Sequence, residues 1–285
     1  MVDKLRLTVL AEDSVRNSQV KKLMAIHGLS ILLKAETGDT NIHILMDTGQ
    51  SSEILLKNAD ALDVNLRKVD VIVLSHGHYD HTDGLMGALK GIGKQVPVIA
   101  HPKAFNVKFV TDPKLRFIGA NFTIDDIERN GGKLFLVKTP LKIAEDIIVT
   151  GEIERVTDYE KVEDFWTIEE NKVVKDFMPD DQALIISLKD KGLVVITGCA
   201  HAGIINTIYY AEKITRTNKI YGVLGGFHLL NASEERIEAT IRDLAKINPE
   251  FLGPCHCTGE KAINRMKEKF GDKCHHLRTG DIIEL

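Results

Sequence analysis

Apolar and polar positions fall into short alternating or continuous runs with helix-period stretches between them, and this order predicts an α/β chain. Lys4 to Leu10 alternates as a strand and ends in Ala11-Glu12-Asp13-Ser14. Gly28 to Glu36 and Asn41 to Met46 are apolar and β-branched, and Thr37-Gly38-Asp39-Thr40 between them predicts a hairpin. Ser52 to Leu62 has a helical period. Val69 to Leu74 reads as a buried strand, and a helix follows from Asp83 to about Lys90. Val96 to His101, Arg116 to Thr123, Lys133 to Lys138 and Ile147 to Ile153 read as further short strands. A second hairpin joins Ala183–Leu188 to Gly192–Thr197, with a helix from about Ile204 to Thr215. Strand Ile220–Leu224, a helix from Ser233 to about Ile247, strand Phe251–Gly253 and a helix to Phe270 complete the order. Two packed sheets flanked by helices would bury these runs, in one domain spanning 1–285. The segment 156–182 differs. It is charged and without clear period, yet holds Phe165, Trp166, Phe177 and Met178, and it reads as a long excursion. An aromatic lid over a substrate, an oligomer contact and a solvated loop with a hydrophobic anchor all remain open for it.

The chemistry collects where the strands end. Val69–Leu74 runs into Ser75-His-Gly-His-Tyr-Asp-His-Thr-Asp-Gly-Leu85, which carries His76, His78, Asp80 and His81. Alternate side chains of an extended or turning segment share one side, so His76 and His78 can share an ion. Asp80 and His81 are offset in phase and able to hold a second one. Asp47 follows the hairpin's second strand, in Asp47-Thr48-Gly49. His201 leaves a strand in Gly198-Cys199-Ala200-His201-Ala202-Gly203, His228 ends Gly225-Gly226-Phe227-His228, and His256 follows Pro254-Cys255. One histidine at a strand end says little; several in succession beside glycine mark a shared cleft. His101 also ends a strand and reads slightly better as a solvated or core residue. His27, His43, His275 and His276 stand in no motif and read as structural.

Composition narrows the classes. The 285 residues are 44% hydrophobic and 27% charged, with net charge −4. That is globular, with length for a sizeable core and no electrostatic case for nucleic acid or a membrane surface. Neither a signal peptide nor a membrane-spanning run is visible, so a cytoplasmic location is expected. Cys199, Cys255, Cys257 and Cys274 would then be thiols or ligands rather than disulfides. Cys255-x-Cys257 with Cys274, His275 and His276 permits a structural zinc, but the spacing favours free thiols.

The His76-x-His78-x-Asp80-His81 motif after a buried strand resembles the metallo-β-lactamase superfamily. The resemblance implies an αββα sandwich, with two mixed β-sheets face to face and helices outside. It implies one or two divalent ions, Zn foremost, with Mn, Fe or Mg as the other candidates. The implied sets are His76, His78 and His201 for one ion, and Asp80, His81 and His256 for the second. Asp47 would support the ligands from behind. Two departures stand out. Met178-Pro179-Asp180-Asp181 replaces the histidine usual before the second hairpin, and Thr197-Gly198-Cys199 replaces a TGD with its bridging aspartate. His201 therefore takes the third-histidine role, with Cys199 or Asp181 partly filling the gap.

Four motifs together, SHGHYDHTDGL, TGCAHAGIIN, GGFHLL and HCTGEKA, are similar to the branch that contains 7,8-dihydropterin-6-methyl-4-(β-D-ribofuranosyl)aminobenzene 5′-phosphate synthase of methanopterin biosynthesis. The expected function is a metal-dependent hydrolase or transferase acting on a small anionic, phosphate-bearing or heterocyclic substrate. A divalent ion would activate a water or polarise an oxygen. Asp80 could serve as a base, and His228 as an acid or hydrogen-bond donor. In a synthase, Lys103 or Arg155 would assist a departing pyrophosphate. The alternatives are a non-enzymatic metal-binding or ligand-sensing protein and an iron-dependent redox protein of the same fold. The excursion and apolar content would also suit a homodimer.

Overall fold

The computed structural model describes residues 1–16, 22–162 and 164–285. Position 163, inside the 156–182 excursion, lies outside the described residues. One sheet runs in the order Ile282–Glu284, Lys4–Ala11, Ser30–Thr37, Thr40–Met46, Val71–Val73, Val96–Ala100, Gly132–Leu136. A second runs Phe251–Cys255, Ile220–Gly226, Gly192–Thr197, Ala183–Leu188, Ile147–Val149, Leu141–Ala144. Leu7, Ile31, Ile44 and Val73 of the first sheet meet Leu184, Ile186, Val194 and Ile196 of the second in one buried cluster. Burying each such side chain contributes about 1.5–3 kcal/mol. Helices Ser52–Ala61 and Leu85–Ile92 cover the first sheet's outer face. Ile204–Thr215, Glu234–Ile247 and Glu260–Phe270 cover the second. The layering is the αββα sandwich that the resemblance implies, and it agrees with the two packed sheets flanked by helices read from the hydrophobic pattern.

Central strands are buried on both faces, as in Gly192–Thr197. That explains their continuous rather than alternating apolar runs. Parallel pairing joins Thr40–Met46 to Val71–Val73, and joins Gly192–Thr197 to Ile220–Gly226 and then to Phe251–Cys255. Their C-terminal ends therefore lie along one edge of each sheet, where the chemistry-bearing turns sit.

Several expected boundaries shift. The helix expected from Asp83 to about Lys90 runs instead over Leu85–Ile92, and a separate single turn, Tyr79–Thr82, precedes it inside the motif. The strand expected over Arg116 to Thr123 is only Arg116–Phe117. The excursion is not a structureless loop: Phe165–Glu169 and Lys172–Lys175 form a hairpin in a third sheet with Lys108–Val110 and Arg116–Phe117. Buried Thr167 and exposed Ile168 and Val173 invert the usual alternation and hid the period. Phe165 and Met178 pack with Ile118, whereas Phe177 is exposed. No helix among the described residues is long and apolar enough to cross a membrane.

Candidate metal centre

Five strand ends deliver the site. The first sheet brings Asp47 and the segment Ser75 to His81; the second brings Cys199, His201, His228 and His256. Four residues in these turns hold left-handed backbone: Asp47 (φ 57°), Ala200 (54°), His228 (51°) and His256 (48°). Non-glycine residues there cost on the order of 1–3 kcal/mol each, and such strain clusters at functional sites. The two sheet edges touch at Gly198, where a Cβ would lie 1.9 Å from Ser75 Oγ and 2.8 Å from Asp47 Oδ2. Only a bare backbone fits there.

Two groups of donors form. His76, His78 and His201 each offer a ring nitrogen, all within 4.8 Å of one another. His76 Nε2 is 3.1 Å from His78 Nδ1. Beside them, Asp80 Oδ2 lies 3.6 Å from His81 Nε2 and 3.3 Å from His256 Nε2. The last two nitrogens are 3.3 Å apart. Cys199 Sγ stands between the groups, 3.1 Å from His81 Nε2, and also clusters with His76. His228 is a neighbour of the first group, its ring centroid 4.1 Å from that of His201.

Carboxylates hold these side chains from behind. Asp47 accepts hydrogen bonds from Ser75 N–H (2.7 Å) and Ser75 O–H (2.6 Å) and faces His81 Nδ1 at 2.7 Å. Asp181 accepts from the Ala202 N–H at 2.7 Å and so fixes the His201 turn; burial pushes its carboxyl up to about 7. Asp180 accepts from Gly77 N–H (2.9 Å) and from the Lys108 ammonium (2.9 Å). Asp13 Oδ1 faces His256 Nδ1 at 2.9 Å, and Glu12 accepts the His256 N–H at 2.8 Å.

Electrostatically the site has two halves. Burial, reinforced by neighbouring imidazoles, holds His76 and His201 well below the usual histidine range; burial and Lys108 take His78 down to about 3. These rings are neutral, with lone pairs available. Burial opposes charge in the other half, but Asp47 and Asp80 raise His81, and Asp13 and Asp80 raise His256. Despite burial, His81 and His256 in turn hold Asp80 well below the carboxylate range. The donor set fits divalent ions. His78 Nε2 and both His201 ring nitrogens are buried and have no hydrogen-bond partner among the described residues. Buried polar atoms in that condition call for a ligand. In the other half a dication would replace the protons that these carboxylates hold on His81 and His256.

The structure thus gathers His76, His78, Asp80, His81, His201 and His256, with Cys199 and Asp47 in contact and Asp181 behind the His201 turn. It does not bring Lys103 or Arg155 into the site: Lys103 pairs with Glu169 at 2.8 Å, and Arg155 donates to the Phe177 carbonyl at 2.6 Å. His101 is buried and accepts from the Lys103 N–H. Cys255 and Cys274 sit in different cores, which disfavours a shared zinc, whereas Cys257 lies against Cys199 and His256. The residues to which the sequence reading gave no site role are Glu12, Asp13, His27, Lys108 and Asp180: Glu12 and Asp13 appeared only as the polar end of a strand, Asp180 only beside Asp181, and His27 as a structural residue.

Above the donors opens a cavity of about 200 Å³. Phe165, Val110, Ile118 and Leu230 form apolar wall, His27 and His228 line it, and exposed Arg116 stands at its edge. An αββα sandwich with clustered histidine, aspartate and cysteine at its strand ends defines a class of metal-dependent enzymes. Residues 26–256 match the sequence model of the Metallo-beta-lactamase superfamily, and the chain belongs to that superfamily. A 7,8-dihydropterin-6-methyl-4-(β-D-ribofuranosyl)-aminobenzene-5′-phosphate synthase from Methanocaldococcus jannaschii is 38% identical over 293 aligned positions, covering 100% of this chain and 98% of that one. The crystal structure of Tm1679, a metal-dependent hydrolase of the β-lactamase superfamily, is similar at TM-score 0.81 and 30% identity over 99% of each chain. The metallo-β-lactamase fold protein YhfI from Bacillus subtilis shares the fold at TM-score 0.56 and 14% identity, covering 99% of this chain and 100% of that one.

Proposed function

We propose that this is a cytoplasmic, metal-dependent group-transfer enzyme acting on a small phosphate-bearing heterocycle, of the kind that the synthase relative's name describes. The observation that carries the reading is the cavity. It has a donor-lined floor, an apolar wall with Phe165 able to contact a flat ring, and Arg116 at its edge to meet an anionic group. His76, His78 and His201 would hold one divalent ion, and Asp80, His81 and His256 a second, with Cys199 between them. Imidazole, carboxylate and thiol together suit zinc. Such an ion, when bound, supplies a Lewis acid for a phosphoryl or carbonyl oxygen. Asp47 and Asp13 fix the ring orientations of His81 and His256. His228 stands beside His201 and lines the cavity; in this reading it would donate a hydrogen bond to charge developing on a leaving group. Should the second position be empty, Asp80, the one carboxylate lining the cavity among the described residues, would act as base.

Hydrolysis is the second reading, favoured by the description of Tm1679. One reaction separates them. A dihydropterin with a diphosphate on its 6-methyl carbon would be incubated with the metal-loaded protein and 4-(β-D-ribofuranosyl)aminobenzene 5′-phosphate. Transfer forms the carbon–nitrogen bond to the arylamine and releases diphosphate. Hydrolysis gives the 6-hydroxymethyl pterin instead. Neither product by mass spectrometry, in protein with confirmed metal, would overturn both for this substrate class.

A further inference from the structure

His27 stands outside every motif, yet it arrives at the centre. Its Nε2 lies 3.4 Å from Asp80 Oδ2, the same oxygen that approaches His81 Nε2 at 3.6 Å and His256 Nε2 at 3.3 Å. Three imidazole nitrogens thus surround one carboxylate oxygen. On its other side, His27 Nδ1 lies 3.2 Å from Asp13 Oδ2, while Asp13 Oδ1 faces His256 Nδ1 at 2.9 Å. One carboxylate therefore orients two rings, and both present Nε2 to Asp80. A histidine whose Nδ1–H is held by a carboxylate offers its Nε2 lone pair outward, which is how ligating histidines are set.

The backbone enforces this approach. Gly28 has φ +120°, and a Cβ there would lie 2.0 Å from the Asp80 carbonyl oxygen. Its N–H donates to Asp13 Oδ1 at 3.0 Å. Glycine is what lets the His27 segment lie flat against the Asp80 turn. A surface histidine paired only with Asp13 would need neither this contact nor a second carboxylate. The ring is 49% exposed and lines the cavity, so it closes the Asp80 group on its open side.

We infer that His27 is a fourth protein ligand, with Asp80, His81 and His256, at the second divalent position. The inference rests on the proposed reading that an ion binds there. It makes that position three histidines and an aspartate, richer in protein donors than the Asp80, His81 and His256 set alone.

The test is Co²⁺ titration of chelator-treated full-length protein, read by visible absorption and by metal content after desalting. Wild type, His27→Ala, His27→Gln and Asp13→Asn are compared, with circular dichroism confirming that each is folded. Wild type should take two equivalents. Both His27 variants should keep the first at wild-type affinity, bind the second more than about 100-fold more weakly, and show a changed second-step spectrum. Asp13→Asn should weaken the second by about 10–100-fold, the usual effect of losing a carboxylate behind a ligating histidine. A second equivalent bound by both folded His27 variants with wild-type affinity and spectrum would overturn the inference alone. Only one equivalent in wild type would overturn the binuclear reading together with it.

Discussion

Asp47 Oδ2 lies 2.7 Å from His81 Nδ1, and neither side chain is exposed to solvent. The carboxylate is held by the Ser75 N–H and O–H, so the strand end that carries the metal motif also fixes the orientation of one of its rings. Replacing Asp47 with asparagine keeps the volume but removes the charge and the strong acceptor. Divalent-ion affinity should fall about 10–100-fold, as for other carboxylates behind ligating histidines. Competition against a chelator of known affinity measures it. Unchanged affinity would make Asp47 a turn residue and nothing more.

Lys108 is 1% exposed and reaches Asp176 at 2.7 Å and Asp180 at 2.9 Å. Asp180 also takes the Gly77 N–H between the first two histidines, so the third sheet is tied to the metal loop. Lys108→Met leaves buried carboxylates uncompensated and should cost about 3–5 kcal/mol in urea unfolding. Burial opposes the ammonium, but Asp180 and Asp176 outweigh it and raise the Lys108 pKa. A raised folded pKa stabilises fully below the unfolded value of about 10.4, and that stabilisation is lost as pH climbs through the folded value. The wild-type advantage over Lys108→Met should therefore be constant from pH 7 to 9 and shrink only above about 10.4. An advantage that grew there would reverse the assigned sign.

Much of the fold was legible because apolar runs in central strands and amphipathic helices report burial directly. The metal motif and His201, His228 and His256 were legible because each follows a parallel strand, and parallel strands aim their C-terminal ends one way. His27 and Asp13 were not. Asp13 lies just past the end of one antiparallel strand and His27 just before the start of the next, and only the pairing of Ala11 with Ser30 and of Ile31 with Met46 brings those ends level with Asp47. Nothing local in the sequence states that register. Lys108 escaped for another reason. Lysine in a short strand reads as solvated, and its two carboxylate partners lie 68 and 72 residues further along the chain.

Cys199 occupies the place where relatives are expected to carry a bridging aspartate, with Sγ 3.1 Å from His81 Nε2. If it is a donor, Co²⁺-loaded wild type should show a near-ultraviolet thiolate-to-metal charge-transfer band. Cys199→Ser should abolish that band, whereas Cys257→Ser should retain it. A band that survives in Cys199→Ser and disappears in Cys257→Ser would transfer the role to Cys257, which shares a donor cluster with Cys199 and His256.

Arg116 is exposed on the third sheet's edge strand, at the margin of the cavity. Its guanidinium can take a phosphate with two parallel hydrogen bonds, an interaction made equally in bound substrate and transition state. Such uniform binding sets KM rather than kcat. Arg116→Met keeps the apolar stem and removes the charge. With a phosphate-bearing substrate, KM should rise about 10-fold or more, the effect of losing at least about 1.4 kcal/mol of charge-assisted hydrogen bonding, with kcat nearly unchanged. With the same substrate lacking its phosphate, wild type and variant should be alike. Equal losses on both substrates would show that Arg116 shapes the third sheet instead of reading the phosphate. A fall in kcat alone would place its charge at the reacting centre, on the donor side of the cavity.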